Sequence, residues 1–371
     1  MKIFPFRALL PDKSIIASPA SFASDVKMHF RNYIETGYIN PRKNSEFFVY
    51  QIRSKSNTFI GLLAALDIDE IIDGNILPHE NTLHHKEQTS MQLILEREAI
   101  VKPLLLTHTP NKKLNKILTK TAENKRPVQS FFYSNTKERH SVWPISDDDS
   151  IKEIKKLFKS KIDKAYIADG HHRVAVLQRL HADKRHRKSM RYGKVASAFF
   201  DFQNLEILDY NRLVDYADNM SALELMALLS QSATITPLTD SAKPKKKFEI
   251  TFYMKNTWFK LAWKKKIIAG YKSSVVLDAT ILNDELLRKT LNIKNVESDQ
   301  HIKYLAGNLS FHEIETKVDR QPGSVAFCLY PVSIKELKKQ ADKGKTLPPK
   351  STYFKPRLPN GFVSQSLNAK K

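Results

Sequence analysis

Hydrophobic and polar positions change rhythm repeatedly along this chain, and each change predicts an element. Phe47–Ile52 and Phe59–Leu66 are dense apolar runs separated by the polar stretch Ser54–Asn57, the pattern of a hairpin. Thr82–Glu98 spaces Leu83, Met91, Leu93, Ile94 and Leu95 as a loosely amphipathic helix. Val101–Thr107 then reads as a strand, and Lys112–Glu123 as a helix with Leu114, Ile117 and Leu118 facing inward. Val128–Tyr133 and Ser141–Ile145 predict two further strands. Asp147–Asp149 and Ser150 cap a helix whose apolar face is Ile151, Ile154, Leu157 and Phe158. The run 164–168 predicts a strand, and Val174, Val176, Leu177 and Leu180 mark a helix close behind it.

Strands at Val195–Phe202 and Leu205–Leu208 follow, and near Ser221 the chain changes character. Helices at Ala222–Leu229, Ile281–Thr290 and Ser333–Ala341 mix with strands at Phe248–Met254, Trp258–Trp263 and Val325–Tyr330. The expected fold class is α+β, in two parts: a mixed-sheet core over 1–215 and a second α+β subdomain over 216–371. A chain of 371 residues is longer than one core usually supports, which agrees with that division. The end, Leu367–Lys371, is expected to fray.

Composition narrows the class. With 41% hydrophobic and 10% aromatic residues and only 10 Gly, the chain is globular rather than disordered. Lysines and arginines number 61 against 39 acids, a formal charge of +22, which suits an anionic partner. The short clusters at 184–188, 245–247 and 264–266 are scattered, as a generally basic surface would have them. Cys328 stands alone among Ala326, Phe327 and Leu329, so no internal disulfide framework exists and a buried, inert thiol is expected. No leading apolar segment and no run of about 18 apolar residues is present, so a cytoplasmic protein without a membrane span is expected.

Candidate chemistry concentrates at Ala168-Asp169-Gly170-His171-His172-Arg173, between the predicted strand and helix. A tight strand–Gly–helix junction aims backbone N–H groups and the positive end of the helix dipole at one point. Arg173 in the first turn opposes that dipole, an arrangement that makes sense when an anion, phosphate above all, shares the site. The plain alternative is a solvated basic loop. A second cluster is Leu77-Pro78-His79-Glu80-Asn81-Thr82, followed by His84 and His85. Read as a His-Glu-x-x-His metal helix it fails: His79 and His84 are five residues apart, which places their rings about 140° apart around a helix. Capping by Asn81 or Thr82 is the remaining structural reading, with Glu80 near the positive end of the helix.

These blocks, with Phe4-Pro5-Phe6-Arg7-Ala8, Tyr210-Asn211-Arg212 and Leu347-Pro348-Pro349-Lys350-Ser351-Thr352-Tyr353-Phe354, occur in the order seen in the family catalogued as domain of unknown function 1015. The chain resembles that family over nearly its whole length. It departs at the family's usual Pro-Tyr-Asp, near where Ser18-Pro19-Ala20-Ser21 stands here.

The Asp-Gly-His-x-Arg junction is also similar to the phosphate-binding motif of the ParB/sulfiredoxin superfamily, which includes partition CTPases, sulfiredoxin and free-serine kinases. That resemblance implies a ParB/sulfiredoxin-like nucleotide-binding core with large insertions, in which Gly170, His171, His172 and Arg173 hold the phosphates of ATP or ADP. It implies Mg2+ on Asp169, with Asp169 and His171 among the catalytic groups, His171 as the hydrogen-bond donor to the phosphates and His172 packed under the loop. Glu80 is implied as the base for the hydroxyl of a free amino acid, with L-serine giving O-phosphoserine. Arg7, Arg212 and Lys350 are candidates for the substrate carboxylate. A non-catalytic nucleotide-binding or nucleic-acid-associated protein is the alternative. The charge favours it slightly, while the absence of a helix-turn-helix signature or a long basic tail weighs against it.

Overall fold

The computed structural model describes all residues except 184–191, 217–219, 274 and 369–371, so the basic cluster at 184–188 lies outside the described residues. The chain forms two compact units, one of residues 1–206 with 356–371 and one of residues 207–355. Segment 356–371, placed in the second subdomain by a division at 215/216, packs instead with the first unit. Strand Ser364–Ser366 is the reason, since it pairs with two strands from the start of the chain. Leu367 is accordingly buried, and its N–H bonds the Glu98 carbonyl at 2.7 Å, so fraying does not begin there.

The first unit opens with β1 (Ile3–Phe4), β2 (Ala8–Pro11), α1 (Pro19–Glu35) and β3 (Ile39–Pro41). The hairpin follows as β4 (Phe47–Arg53) and β5 (Thr58–Asp67), its turn closed by Ser54, whose N–H reaches the Asn57 carbonyl at 2.8 Å. Next come α2 (Asp69–Ile72), β6 (Ile76–Leu77), α3 (His84–Arg97), β7 (Ala99–Ile100) and β8 (Leu104–His108). Then follow α4 (Lys112–Asn124), β9 (Gln129–Tyr133), β10 (Glu138–Ile145) and α5 (Asp148–Lys161). The unit's main run ends with β11 (Ala165–Asp169), α6 (His171–Ala182) and β12 (Lys194–Asp201).

Among the described residues nine strands form one mixed sheet, ordered β6-β11-β8-β12-β5-β4-β10-β9 with β1 beside β5. The pairs β6/β11 and β8/β12 are parallel and the others antiparallel. Central β5 and β12 are covered on both faces, hence their near-continuous apolar runs.

The helix predicted at Thr82–Glu98 starts later, at His84. Its N-cap is Leu83 with no side-chain cap, so neither Asn81 nor Thr82 caps it. The strand predicted at Val101–Thr107 begins only at Leu104, because Pro103 lacks an N–H for the ladder.

The second unit carries a six-stranded sheet among its described residues, including Tyr210–Asp215, Glu249–Met254, Thr257–Trp263 and Ser324–Cys328. The helix predicted over Ile281–Thr290 is a short α-helix, Asp278–Leu282, running into a π-helical segment, Asn283–Arg288. Cys328 is buried, and burial raises its thiol's pKa far above the ordinary value, as its apolar neighbours foretold.

Candidate functional site

Two parallel strands deliver the two sequence clusters to one edge. β6 ends at Leu77 and β11 at Asp169, with Tyr166 in register with Leu77, so Pro78–Leu83 and Gly170–Arg173 both leave from the same C-terminal edge. That edge is where open parallel sheets commonly place ligands. Register between β11 and β8 shifts between Ile167 and Asp169, a bulge that re-aims the last residue of the strand.

The helix behind β11 begins unlike its neighbour α5. In α5, Asp147 caps the Ser150 N–H at 2.9 Å, and Asp148 and Asp149 fill the first turn. α6 has no acid in its first turn, and its N-cap Gly170 offers no side chain. Gly170 has φ +110, and a Cβ there would meet the Arg173 guanidinium at 2.9 Å and Leu104 at 3.0 Å. Glycine is therefore required, both for the left-handed turn and for the arginine that crosses it.

Asp169 is the centre of the cluster. Lys102 Nζ and Arg173 Nη2 lie 2.8 and 2.9 Å from its Oδ2, and Arg357 Nη1 lies 2.9 Å from its Oδ1. Burial pushes this carboxyl up, but Lys102, Arg173 and Arg357 together outweigh it and hold the group far below the ordinary carboxylate range. Arg173 also donates through Nη1 to the carbonyls of Lys102 and of Pro103, the latter at 2.9 Å. Three cations converge on this one carboxylate. The side chains of Asp169 and Arg357 are 21% and 33% exposed, so a solute reaches the cluster. An anion such as a phosphate suits a cluster of that sign better than a dication does.

Magnesium on Asp169 would have to join these three cations around one carboxylate. Both carboxylate oxygens already face cations, and each like unit-charge pair at 4 Å costs about 4 kcal/mol at an effective dielectric constant of about 20. Among the described residues no group of three or more His, Cys, Asp or Glu could hold a metal ion. Asp169 positions its three cations.

Both histidines hold the other cluster. The His79 N–H donates to His171 Nε2 and the Leu83 N–H to His172 Nε2, each at 3.5 Å. The rings of His79 and His171 meet edge-on, with centroids 4.5 Å apart. Burial, followed by the neighbouring His171, holds His79 well below the usual imidazole range, so its ring is neutral near pH 7. Where one histidine was expected to face phosphate and the other to pack beneath the loop, both reach the 78–83 segment. His171 is buried, and its Nε2 faces the His79 N–H. Glu80, half-buried at a bend, lies between the two anchored N–H groups. Thr82 Oγ1 donates to the buried Glu87, which also pairs with Arg179 at 2.7 Å and so ties α3 to α6.

Of the three substrate-carboxylate candidates, Arg7 alone belongs to the first unit. Arg7 is exposed, donates through Nε to the Arg42 carbonyl at 2.6 Å, and lines a cavity of about 450 Å³ with Leu9, Phe30 and Arg97. Arg212 belongs to the second unit and is fully buried. Its guanidinium donates to the Tyr210, Pro349 and Lys350 carbonyls and lies 5.1 Å from the centroid of the Tyr304 ring. It secures the Pro-Pro-Lys loop. Lys350 sits at φ +54 with its ammonium 5.2 Å from the centroid of the Tyr210 ring.

Lys102 and Arg357 were missed from the sequence. Lys102 precedes the strand that pairs with β11, and Arg357 lies just beyond the Leu347–Phe354 block. Only the sheet order brings them to Asp169.

A family model described as "Protein of unknown function (DUF1015)" matches residues 10–283, and the chain belongs to that family. No curated protein matches the sequence. Among solved structures, a free serine kinase variant in complex with ADP is similar at 12% identity and a TM-score of 0.41, covering 81% of this chain and 89% of that one. SbnI with a C-terminal truncation, from Staphylococcus aureus, is 14% identical with a TM-score of 0.42, covering 80% and 85%. A conserved hypothetical protein from Pyrococcus furiosus is 12% identical with a TM-score of 0.41, covering 82% and 95%. No described helix is long and apolar enough to cross a membrane.

Proposed function

We propose that this DUF1015 protein is a small-molecule kinase of the cytoplasm, transferring the terminal phosphoryl group of ATP or ADP to the hydroxyl of a free amino acid. L-serine, giving O-phosphoserine, is the acceptor that the motif resemblance favours, and the first unit is read as a ParB/sulfiredoxin-like core. One observation carries the reading. The histidines that follow the phosphate-type glycine hold the Glu80 segment by a backbone N–H on either side of Glu80. A carboxylate and an anion-binding junction thus belong to one assembly.

In this reading the terminal phosphate lies at the start of α6, where Lys102, Arg173 and Arg357 supply the positive charge that phosphoryl transfer requires. The acceptor oxygen forms a bond to phosphorus as the bridging P–O bond breaks, and ADP or AMP leaves. Glu80 takes the hydroxyl proton. No step passes through a metal held by the protein.

The test is transfer from ATP and from ADP across hydroxy amino acids, with phosphoserine release matched to nucleotide consumed. Glu80→Gln is expected to lose about 10² or more in turnover while keeping the thermal stabilisation that nucleotide gives, about 2.7 kcal/mol at 100 times Kd. Turnover within threefold of the parent would return Glu80 to a structural role.

A further inference from the structure

A basic surface on the first unit stands apart from the residues used above. On the solvent side of the main sheet, Thr58, Arg53, Arg139 and Phe132 form one row across β5, β4, β10 and β9. Two residues along each strand, the next row is Ile60, Gln51, Ser141 and Ser130. Arg53 and Arg139 therefore stand directly opposite each other, a like-charge pair that disfavours the sheet. Lys55 and Lys137 extend the charge at the strand ends, and Lys125 and Arg126 add to it just after α4.

All six cations are exposed, and among the described residues none has a carboxylate within ion-pair distance. A groove of about 620 Å³ runs over this face, and Glu123 is the one acid among its described lining residues. A second hollow shares Arg53 and Arg139 and includes Phe132. Phe132 is 47% exposed, and the Arg139 guanidinium lies 5.6 Å from its ring centroid.

A single phosphate would use two or three of these charges; a strip of six with an open aromatic ring suits a longer polyanion carrying flat groups. We propose that this face binds single-stranded nucleic acid, with the cations along the backbone and a base stacked on Phe132. Beside the stack the half-buried Gln51 offers a hydrogen bond, while the Ser130 and Ser141 hydroxyls hold each other at 2.9 Å. Stacking against an exposed ring over a basic groove is how single strands are held without sequence reading. A duplex keeps its bases stacked within itself and cannot use Phe132.

The test uses the full chain, fluorescence anisotropy and a labelled 20-nucleotide oligothymidylate or oligouridylate, titrated over a range of salt. Binding is expected to persist near physiological salt, with the slope of log affinity against log salt equal to about 0.7 per phosphate neutralised. Arg53→Gln/Arg139→Gln should weaken it about tenfold or more, and Phe132→Ala about five- to tenfold. Lys265→Gln/Lys266→Gln removes the same charge from the second unit and should change affinity less than threefold.

Equal weakening by that control pair would reduce the effect to net charge and overturn the proposal. So would a duplex that binds as tightly as the single strand with Phe132→Ala unchanged, or vesicles of anionic lipid that bind at physiological salt while the oligonucleotides do not. Should the paired arginine variant fail to fold, Phe132→Ala and the salt slope decide.

Discussion

Two aspartates, one in each compact unit, are both largely withdrawn from water and behave in opposite ways. Asp169 is held far below the carboxylate range; Asp278 is pushed up to about 7. Burial raises both. Around Asp278 the opposition is weak: the Phe248 N–H reaches Oδ2 at 3.1 Å and Trp263 Nε1 reaches Oδ1 at 3.2 Å. The nearest cation, Lys247, is spent on Glu336. Around Asp169 three cations converge on a single carboxylate. Converging positive charge, rather than burial alone, is what separates the two aspartates.

The widest break in that comparison is Asp169→Asn. Removing the carboxylate leaves Lys102, Arg173 and Arg357 facing one another, and we expect a loss of about 3–5 kcal/mol in urea denaturation at pH 7. Added phosphate should restore part of that loss, since an anion would occupy the vacated charge. A loss below about 1 kcal/mol would show that the cations do not depend on Asp169.

Asp278→Asn should act in the opposite direction and less strongly. With its folded pKa raised, Asp278 holds a proton that the unfolded chain lacks between about pH 4 and 7. Its contribution to stability is present below that window and lost as pH rises through 7. The variant should gain about 2 kcal/mol over the parent at pH 8 and much less at pH 5. Parallel pH–stability curves for parent and variant would remove the contrast. Asp169 is ionised throughout the same range, so the Asp169→Asn deficit should stay flat with pH.

The smallest effect is expected from Arg357→Ala. This pair is about one-third exposed, so a stability loss of about 1 kcal/mol is anticipated, together with a weaker thermal shift by nucleotide. A nucleotide shift equal to the parent's would exclude Arg357 from anion binding.

Local structure was legible where a short-range rule settled it. Ser54–Asn57 closed the hairpin, and Asp147 capped α5, both as their residue types dictate. The helix after Glu80 failed for a comparable reason: Thr82, the expected cap, gives its hydroxyl to Glu87 instead. The two chemical clusters were visible separately. Their union was not, because β6 is two residues long and carries no periodicity that would reveal its pairing with β11. Arg212 shows a different limit: its partners are carbonyls of a proline-rich loop that no local rule places beside it.

The return of segment 356–371 to the first unit has a consequence for biosynthesis. Asp169, Lys102 and Arg173 leave the ribosome well before Arg357, with the whole of 207–355 synthesised in between. At roughly 5–20 residues per second, the nascent first unit waits from several seconds to about half a minute for its last cation and for the strand that pairs with β2 and β7. Until then the cluster of cations around Asp169 is incomplete, so the first unit is finished only after the second has been synthesised.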